Sequence, residues 1–240
     1  MMLRPLLALV ALVSFALPAH AGLRAVYGSA EENKTLVVEV ADSGDVRIAE
    51  SGDTSFGLML GDAFYVVSRQ PDGSAMAARI EDIAAAIDQV MPPVFGDALT
   101  HDGPARPAAR LAMKRRGERT VGGRKGDVWR VEGIGGVAGG TPVEYVMSLD
   151  DDLKPIGRAL EQFMHAAIIP GAPLMGSAAA EFIEETRAIF ALGTPLDVGG
   201  RFQLRSIERA DLAHERFELP VPPATRDALV AAMQAQLPKK

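Results

Sequence analysis

Between Leu23 and Ala77 apolar and polar residues alternate in short runs broken by tight turns, and few architectures accept that pattern. Leu36, Val38 and Val40 alternate with Val37, Glu39 and Ala41; Val46 and Ile48 alternate with Asp45, Arg47 and Ala49; Phe56, Leu58 and Leu60 continue the rhythm. Side chains of a strand point to opposite faces with period two, so each run is a strand with one face turned to a core. The turns are written in their usual residues: Asp42-Ser43-Gly44-Asp45, Glu50-Ser51-Gly52-Asp53, Gly61-Asp62 and Pro71-Asp72-Gly73. At roughly ten residues per repeat there is no room for the long crossover that parallel strands need, so the expected structure is an antiparallel meander. Its apolar face must be covered by something else.

The first residues are excluded from that core. Arg4 precedes an apolar run from Leu6 to Leu17, Pro18 breaks it, and Ala19-His20-Ala21 offers small residues at the two positions a signal peptidase reads. The run is shorter than the roughly 20 residues that span a bilayer. The expectation is a signal peptide over residues 1–21, cleaved after Ala21, and a periplasmic protein free in solution. Residues 22–240 are then read as one domain, long enough to bury most of its unfolded surface. With no cysteine in the sequence, an oxidising compartment would offer it no disulfide. Without Arg4 the chain keeps 24 basic against 31 acidic residues, a balance that excludes general nucleic-acid binding.

Helices are expected near 80–91, 155–167, 178–190 and 222–236. Ile80, Ile83, Ala84, Ile87, Val90 and Met91 sit at helical spacing before Pro92-Pro93; Ile156, Leu160, Phe163 and Ala167 form a second stripe after Pro155; Phe182, Ile183, Thr186, Ile189 and Phe190 form a third. Residues 96–109 read as loop. Asp127 to Glu132 and Val143 to Leu149 form a strand pair around the glycine-rich Gly133 to Gly140. Arg201 to Ile207 is a strand, and Phe217 to Pro220 is short and extended. The fold class is α+β, with no internal repeat.

Chemistry is sparse. His101, His165 and His214 have no metal-ligand spacing, so no metal and no cofactor are expected. Asp150-Asp151-Asp152 lacks the alternating ligands and glycine of a calcium loop; before Pro155 it reads as a turn whose acids cap a helix. Ser55, between Gly52 and Gly57, lacks the spacing of a nucleophile elbow, and the runs Gly135-Gly136 and Gly139-Gly140 lack the helix start of a phosphate cradle. No catalytic residue is assigned and no enzymatic activity is expected. The basic segment from Arg110 to Lys125 is unusual in an acidic chain. Lys114, Arg115, Arg116 and Arg119 read either as a contact for an anionic headgroup or acidic partner or as a solvated strand face balanced by acids elsewhere.

Three stretches resemble a known group: Val121 to Gly133 (VGGRKGDVWRVEG), Val143 to Phe163 (VEYVMSLDDDLKPIGRALEQF) and Gly193 to Pro220, with its Gly-x-Pro start and Phe-x-x-Pro finish. They look like the LolA-like periplasmic proteins, the outer-membrane lipoprotein carrier superfamily and its uncharacterised families. The resemblance implies a strongly curved antiparallel sheet, a half-barrel wrapped around helices with an apolar cavity between them. No residue-level motif of the carrier is shared, so no functional residue is carried over. On this reading the cavity binds a lipid or acyl chain. The alternation nominates Val38, Val40, Val46, Ile48, Phe56 and Leu58 on the sheet, and the helical stripes nominate Phe163, Phe182 and Phe190. The alternative is an envelope protein with a filled core that recognises protein partners by its surface. Patterning alone does not separate a hollow interior from a packed one.

Overall fold

The computed structural model describes residues 21–29, 34–70, 72–90, 111–134, 141–172 and 177–236. The expected leader before Ala21, the expected loop 96–109, Pro92-Pro93, His101, Arg110 and most of the glycine-rich segment (residues 135–140) lie outside the described residues.

The first six strands are β1 (Ala21–Gly28), β2 (Thr35–Val40), β3 (Val46–Glu50), β4 (Phe56–Leu60), β5 (Ala63–Arg69) and β6 (Ala75–Arg79). Helix α1 (Ile80–Val90) follows, then β7 (Ala112–Val121), β8 (Arg124–Glu132) and β9 (Val143–Ser148). Helices α2 (Lys154–Ile168) and α3 (Ser177–Phe190) precede β10 (Thr194–Val198) and β11 (Phe202–Asp211), and α4 (Arg226–Gln236) ends the described chain. The strands form one 11-stranded antiparallel sheet, ordered β6-β5-β4-β3-β2-β1-β11-β10-β9-β8-β7, with β6 and β7 as its outermost strands.

The sheet curls strongly. Arg119 on β7 donates to Asp197 on β10 at 2.9 Å, and a Cβ on Gly122, just past β7, would lie 2.7 Å from the carbonyl oxygen of Leu204 on β11. Strands that are far apart in the order thus touch, which a flat sheet forbids. The fold is an α+β half-barrel. Its main core joins Ala25, Tyr27, Val38, Val40, Val46, Ile48, Met59 and Phe64 of the sheet to Leu153, Ile156, Ala159 and Leu160 at and in α2. Helix α2 docks closely because residue 157 is glycine: a Cβ there would stand 2.5 Å from the Thr194 hydroxyl oxygen. That hydroxyl donates to the Leu153 carbonyl at 3.0 Å.

The meander and its turns follow the expected pattern, with one exception in register. Directly opposed residues share a face. Val38 pairs with Ile48 and Ile48 with Gly57, while Val46 pairs with Met59. Gly57 and Met59 therefore face the helices, and Phe56 and Leu58 point to the other side. There they join Val67 and Ala77 in a separate cluster covered by Leu219 and Val221. The alternation of β4 misleads because both its faces are buried. Gly57 completes the arrangement: its missing side chain makes room for the Phe64 ring, 2.6 Å from where a Cβ would stand.

The chain after β11 supplies that outer cover. Phe217 closes a 3-10 turn, His214–Phe217, rather than opening the extended piece expected there. Arg216 in this turn donates to both carboxylate oxygens of Glu39 at 2.7 to 3.1 Å. Glu39 is only 2% exposed, and Arg24 and Arg47 stand 3.6 and 3.5 Å from it. Further on, the Ala224 amide donates to the Ala77 carbonyl. Helix α4 begins at Arg226 rather than at Pro222 because Pro223 is held in an extended bridge with Ala77. Its Leu229 and Val230 pack with Ala78 and Ala86, the latter on α1.

Asp150 to Asp152 do form the turn before α2, but no acid there caps a helix through its side chain. Asp151 pairs with Lys154 at 2.6 Å and Asp150 with Arg124 at 3.8 Å. The first turn of α2 carries Pro155, as expected.

Candidate functional site

An apolar pocket of about 330 Å³ opens between α2, α3 and the sheet, within the size range of small-molecule sites. Its floor follows from strand register. Tyr145 and Met147, two residues apart on β9, share a face; Val198 opposes Tyr145 and Pro195 opposes Met147. Pro195 and Val198 are three positions apart, yet both line the pocket because the register shifts between them. A bulge of this kind adds one residue to a strand and re-aims its neighbours. The inserted Leu196 turns into the main core, fully buried. Phe202 opposes Val198, and Leu36 opposes Tyr27 two strands along; both complete the floor.

The helical walls are one stripe from each helix. Leu160, Phe163 and Met164 come from α2; Phe182, Glu185, Thr186, Ile189 and Phe190 come from α3, at the i, i+3, i+4, i+7 and i+8 positions of one face. Ile134, after β8, adds the last contact. Of the fifteen lining residues only Tyr145, Glu185 and Thr186 carry polar side chains, so the site offers burial and very little else. Burial pushes the Tyr145 phenol up, and the nearby negative charge of Glu185 adds to the effect.

The floor is braced from below. The Tyr27 hydroxyl donates to the Pro195 carbonyl at 3.0 Å. Its ring stacks on Phe202 with centroids 4.6 Å apart and planes 1° from parallel. Burial alone drives the Tyr27 phenol well above its ordinary value, so it remains a neutral donor.

The nominated residues divide in three. Phe163, Phe182 and Phe190 line the pocket. Val38, Val40, Val46 and Ile48 face the same interior but belong to the packed core beside it. Phe56 and Leu58 lie on the outer face, where Arg47 stands over the Phe56 ring at 4.3 Å. The register of β9 to β11 placed the remaining floor residues, and periodicity within single strands could not reveal it. Ile189, Thr186 and Leu160 were visible as stripe residues, and Phe202, Tyr145 and Met147 lay in expected strands without being nominated; Pro195 and Glu185 gave no signal.

Within the described residues the basic segment forms edge strand β7, the turn after it and the start of β8. Arg115 pairs with Asp127 at 2.6 Å and with Glu118 at 3.2 Å; Arg119 pairs with Glu144 and Asp197, both at 2.9 Å. Lys125 pairs with Glu118. Most of this charge is balanced by acids from neighbouring strands. Lys114 and Arg116 make no ion pair among the described residues, and Lys114 lies directly opposite Arg130. No group of three or more His, Cys, Asp or Glu side chains converges among the described residues. No described helix is long and apolar enough to cross a membrane.

No protein-family model and no curated protein matches the chain. A solved structure of MucB aligns over 84% of this chain at 15% identity and a TM-score of 0.29. The chain spans 58% of the length of that MucB chain.

Proposed function

We propose that this is an exported, periplasmic, non-enzymatic binding protein of the LolA-like superfamily that holds a hydrophobic ligand, an acyl chain, in the pocket between α2, α3 and the half-barrel. The observation that carries the reading is the lining: two helical stripes and a four-strand floor converge on one apolar space. The mechanism is burial, about 0.8 kcal/mol for each methylene removed from water. At about 30 Å³ per methylene, the share of one water molecule, the pocket takes a chain of about ten carbons. That gives about 8 kcal/mol before the cost of association is subtracted. Membership of the superfamily is supported by where its three similar stretches fall. Val121 to Gly133 is β8 with its leading turn, Val143 to Phe163 is β9 running into α2, and Gly193 to Pro220 contains β10 and β11. The second and third supply most of the floor and part of the α2 wall of the pocket. Export is supported by the leader-like run that ends where β1 begins.

The test is extraction of the natively exported protein with organic solvent, followed by mass spectrometry. A stoichiometric lipid or fatty chain is expected. The absence of any extractable chain, together with no saturable response of Trp129 fluorescence to added alkyl amphiphiles, overturns the reading. Trp129 is a suitable reporter: it is the single tryptophan, opposes Tyr145 and packs on the cluster of Met147 and Ile189.

A second reading, an envelope protein that recognises an acidic protein partner, is favoured by one feature. Like charges directly opposed on neighbouring strands are unfavourable, and the Lys114–Arg130 pair stands on an open edge beside Arg116. A photo-crosslinker at position 116 should yield a discrete protein adduct in intact cells; its absence removes this reading.

A further inference from the structure

Among the described residues, three buried side-chain nitrogens have no hydrogen-bond acceptor: Arg24 Nε, His165 Nε2 and Trp129 Nε1. Two of them are accounted for within the protein. Arg24 Nε stands 3.6 Å from the Glu39 carboxylate, and an imidazole can carry its proton on the other nitrogen, which leaves Nε2 with nothing to donate. An indole nitrogen always bears its proton and can only donate. Burying such a donor unpaired is unfavourable, and native structures rarely do so. Trp129 stands where a ligand can supply the acceptor. It opposes Tyr145 on β9, so the two share a face, and it packs in one cluster with Met147, Ile189, Tyr145 and Ile134. Those four residues line the pocket and Trp129 does not. The indole is thus one side chain beyond the lining, at the β8 side of the floor.

Resting on the pocket as the ligand site, we infer that Trp129 is a specificity residue: its indole N–H donates to a carbonyl of the bound molecule, so the ligand is an acyl ester or amide rather than a plain hydrocarbon or an ether. The chain fills the apolar space, and the carbonyl at its root comes to lie past Tyr145, beside the indole. Burial of the methylenes gives affinity that is indifferent to this group. The hydrogen bond gives discrimination, because a chain without the acceptor leaves the buried donor unpaired. The selection is made by a neutral donor on a neutral acceptor, and it does not depend on the charge of the head group.

The experiment compares monolauroylglycerol with dodecylglycerol, its ether counterpart, each below its self-association concentration, on the delipidated protein. The two share a glycerol head and a twelve-carbon chain and differ in the carbonyl. Calorimetric titration is expected to give the ester an affinity about 5-fold higher or more. The chain contains one tryptophan, so its indole N–H gives a single proton–nitrogen resonance; the ester is expected to move that proton downfield and the ether to move it less. Trp129→Phe, which keeps an aromatic ring and removes the donor, is expected to bring the two affinities within about 2-fold, with far-ultraviolet circular dichroism confirming that it is folded. The affinity ratio and the resonance on the unaltered protein need no variant. Equal affinities, a preference for the ester that Trp129→Phe retains, or an indole proton that the ester leaves in place overturns the inference while the pocket stands as the ligand site. Failure of both amphiphiles to bind overturns both.

Discussion

Tyr27 and Phe202 stack face to face beneath the pocket, 4.6 Å apart, and the Tyr27 hydroxyl reaches past β11 to the Pro195 carbonyl. One fully buried side chain thus ties β1 to two of the floor residues. Tyr27→Phe keeps the stack and removes the hydrogen bond, leaving a buried carbonyl without its donor. The expected cost is about 1–2 kcal/mol, or about 2–8 °C in Tm for a chain of this size. Urea denaturation checks it; an unchanged midpoint would mean that the bond adds nothing.

Helix α2 sits against β10 only because Gly157 has no side chain. Alanine normally favours a helix by about 1 kcal/mol over glycine. Here its Cβ would stand 2.5 Å from the Thr194 hydroxyl oxygen and disturb the buried bond to Leu153. Overpacking of this kind costs about 1–3 kcal/mol, so the clash outweighs the propensity. Gly157→Ala is expected to destabilise by about 1–2 kcal/mol, read from the shift in denaturation midpoint. A stabilised variant would show that α2 can slide away from β10 freely.

Glu39 is sealed under Arg216 on the outer face, and the bond fixes the start of the segment that covers Leu58 and Val67. Arg216→Ala leaves a carboxylate that is 2% exposed with only the longer contacts from Arg24 and Arg47. The expected cost is about 2–3 kcal/mol. The exposed pair of Arg24 and Glu208, 3.4 Å apart, is the control, since surface pairs contribute about 1 kcal/mol or less. Comparable losses for Arg216→Ala and Glu208→Ala would remove the distinction.

The proposed export makes a chemical prediction at the N-terminus. Gly22 is buried near the start of β1, where a Cβ would lie 2.5 Å from Leu212 and 2.8 Å from the Val40 carbonyl oxygen. On the proposed export, cleavage after Ala21 would release the chain at that residue. N-terminal sequencing of protein recovered from the periplasm is expected to begin Gly-Leu-Arg-Ala-Val. A start at Met1 contradicts both cleavage and the compartment.

The elements were legible in the sequence because their signals are local: period two with glycine turns for β2 to β5, and period 3.6 for α1 to α3. The pocket was only half legible. Its helical wall could be read from Phe163, Phe182 and Phe190, which repeat along single helices. Its floor depends on pairings between β9, β10 and β11 and on one inserted residue, Leu196, and no single strand encodes them. The misplacement of Phe56 and Leu58 has the same origin. A one-residue change of register moves a strand's side chains to the opposite face, and β4 is apolar on both faces because residues more than 150 positions away in the chain, Leu219 and Val221, return to cover it.

That division between core and pocket gives a sharp comparison. Val40 is 7% exposed and part of the packed core, whereas Val198 lines the pocket at the end of β10. Val40→Trp forces a large ring into filled space and is expected to cost about 1–3 kcal/mol or more, with alkyl-chain binding per folded molecule retained. Val198→Trp places the same ring in open space. It is expected to leave stability within about 1 kcal/mol of the unaltered protein while weakening dodecanol binding by about 10-fold or more, as several methylenes lose their place at about 0.8 kcal/mol each. Denaturation and ligand titration on the two variants separate the cases, because each change should move one measurement and spare the other. If Val198→Trp destabilises the protein as much as Val40→Trp does, the space beneath α3 closes in solution and the interior is packed. If Val40→Trp abolishes binding in folded protein, the ligand occupies the β2–β3 core rather than the space over β9 and β10.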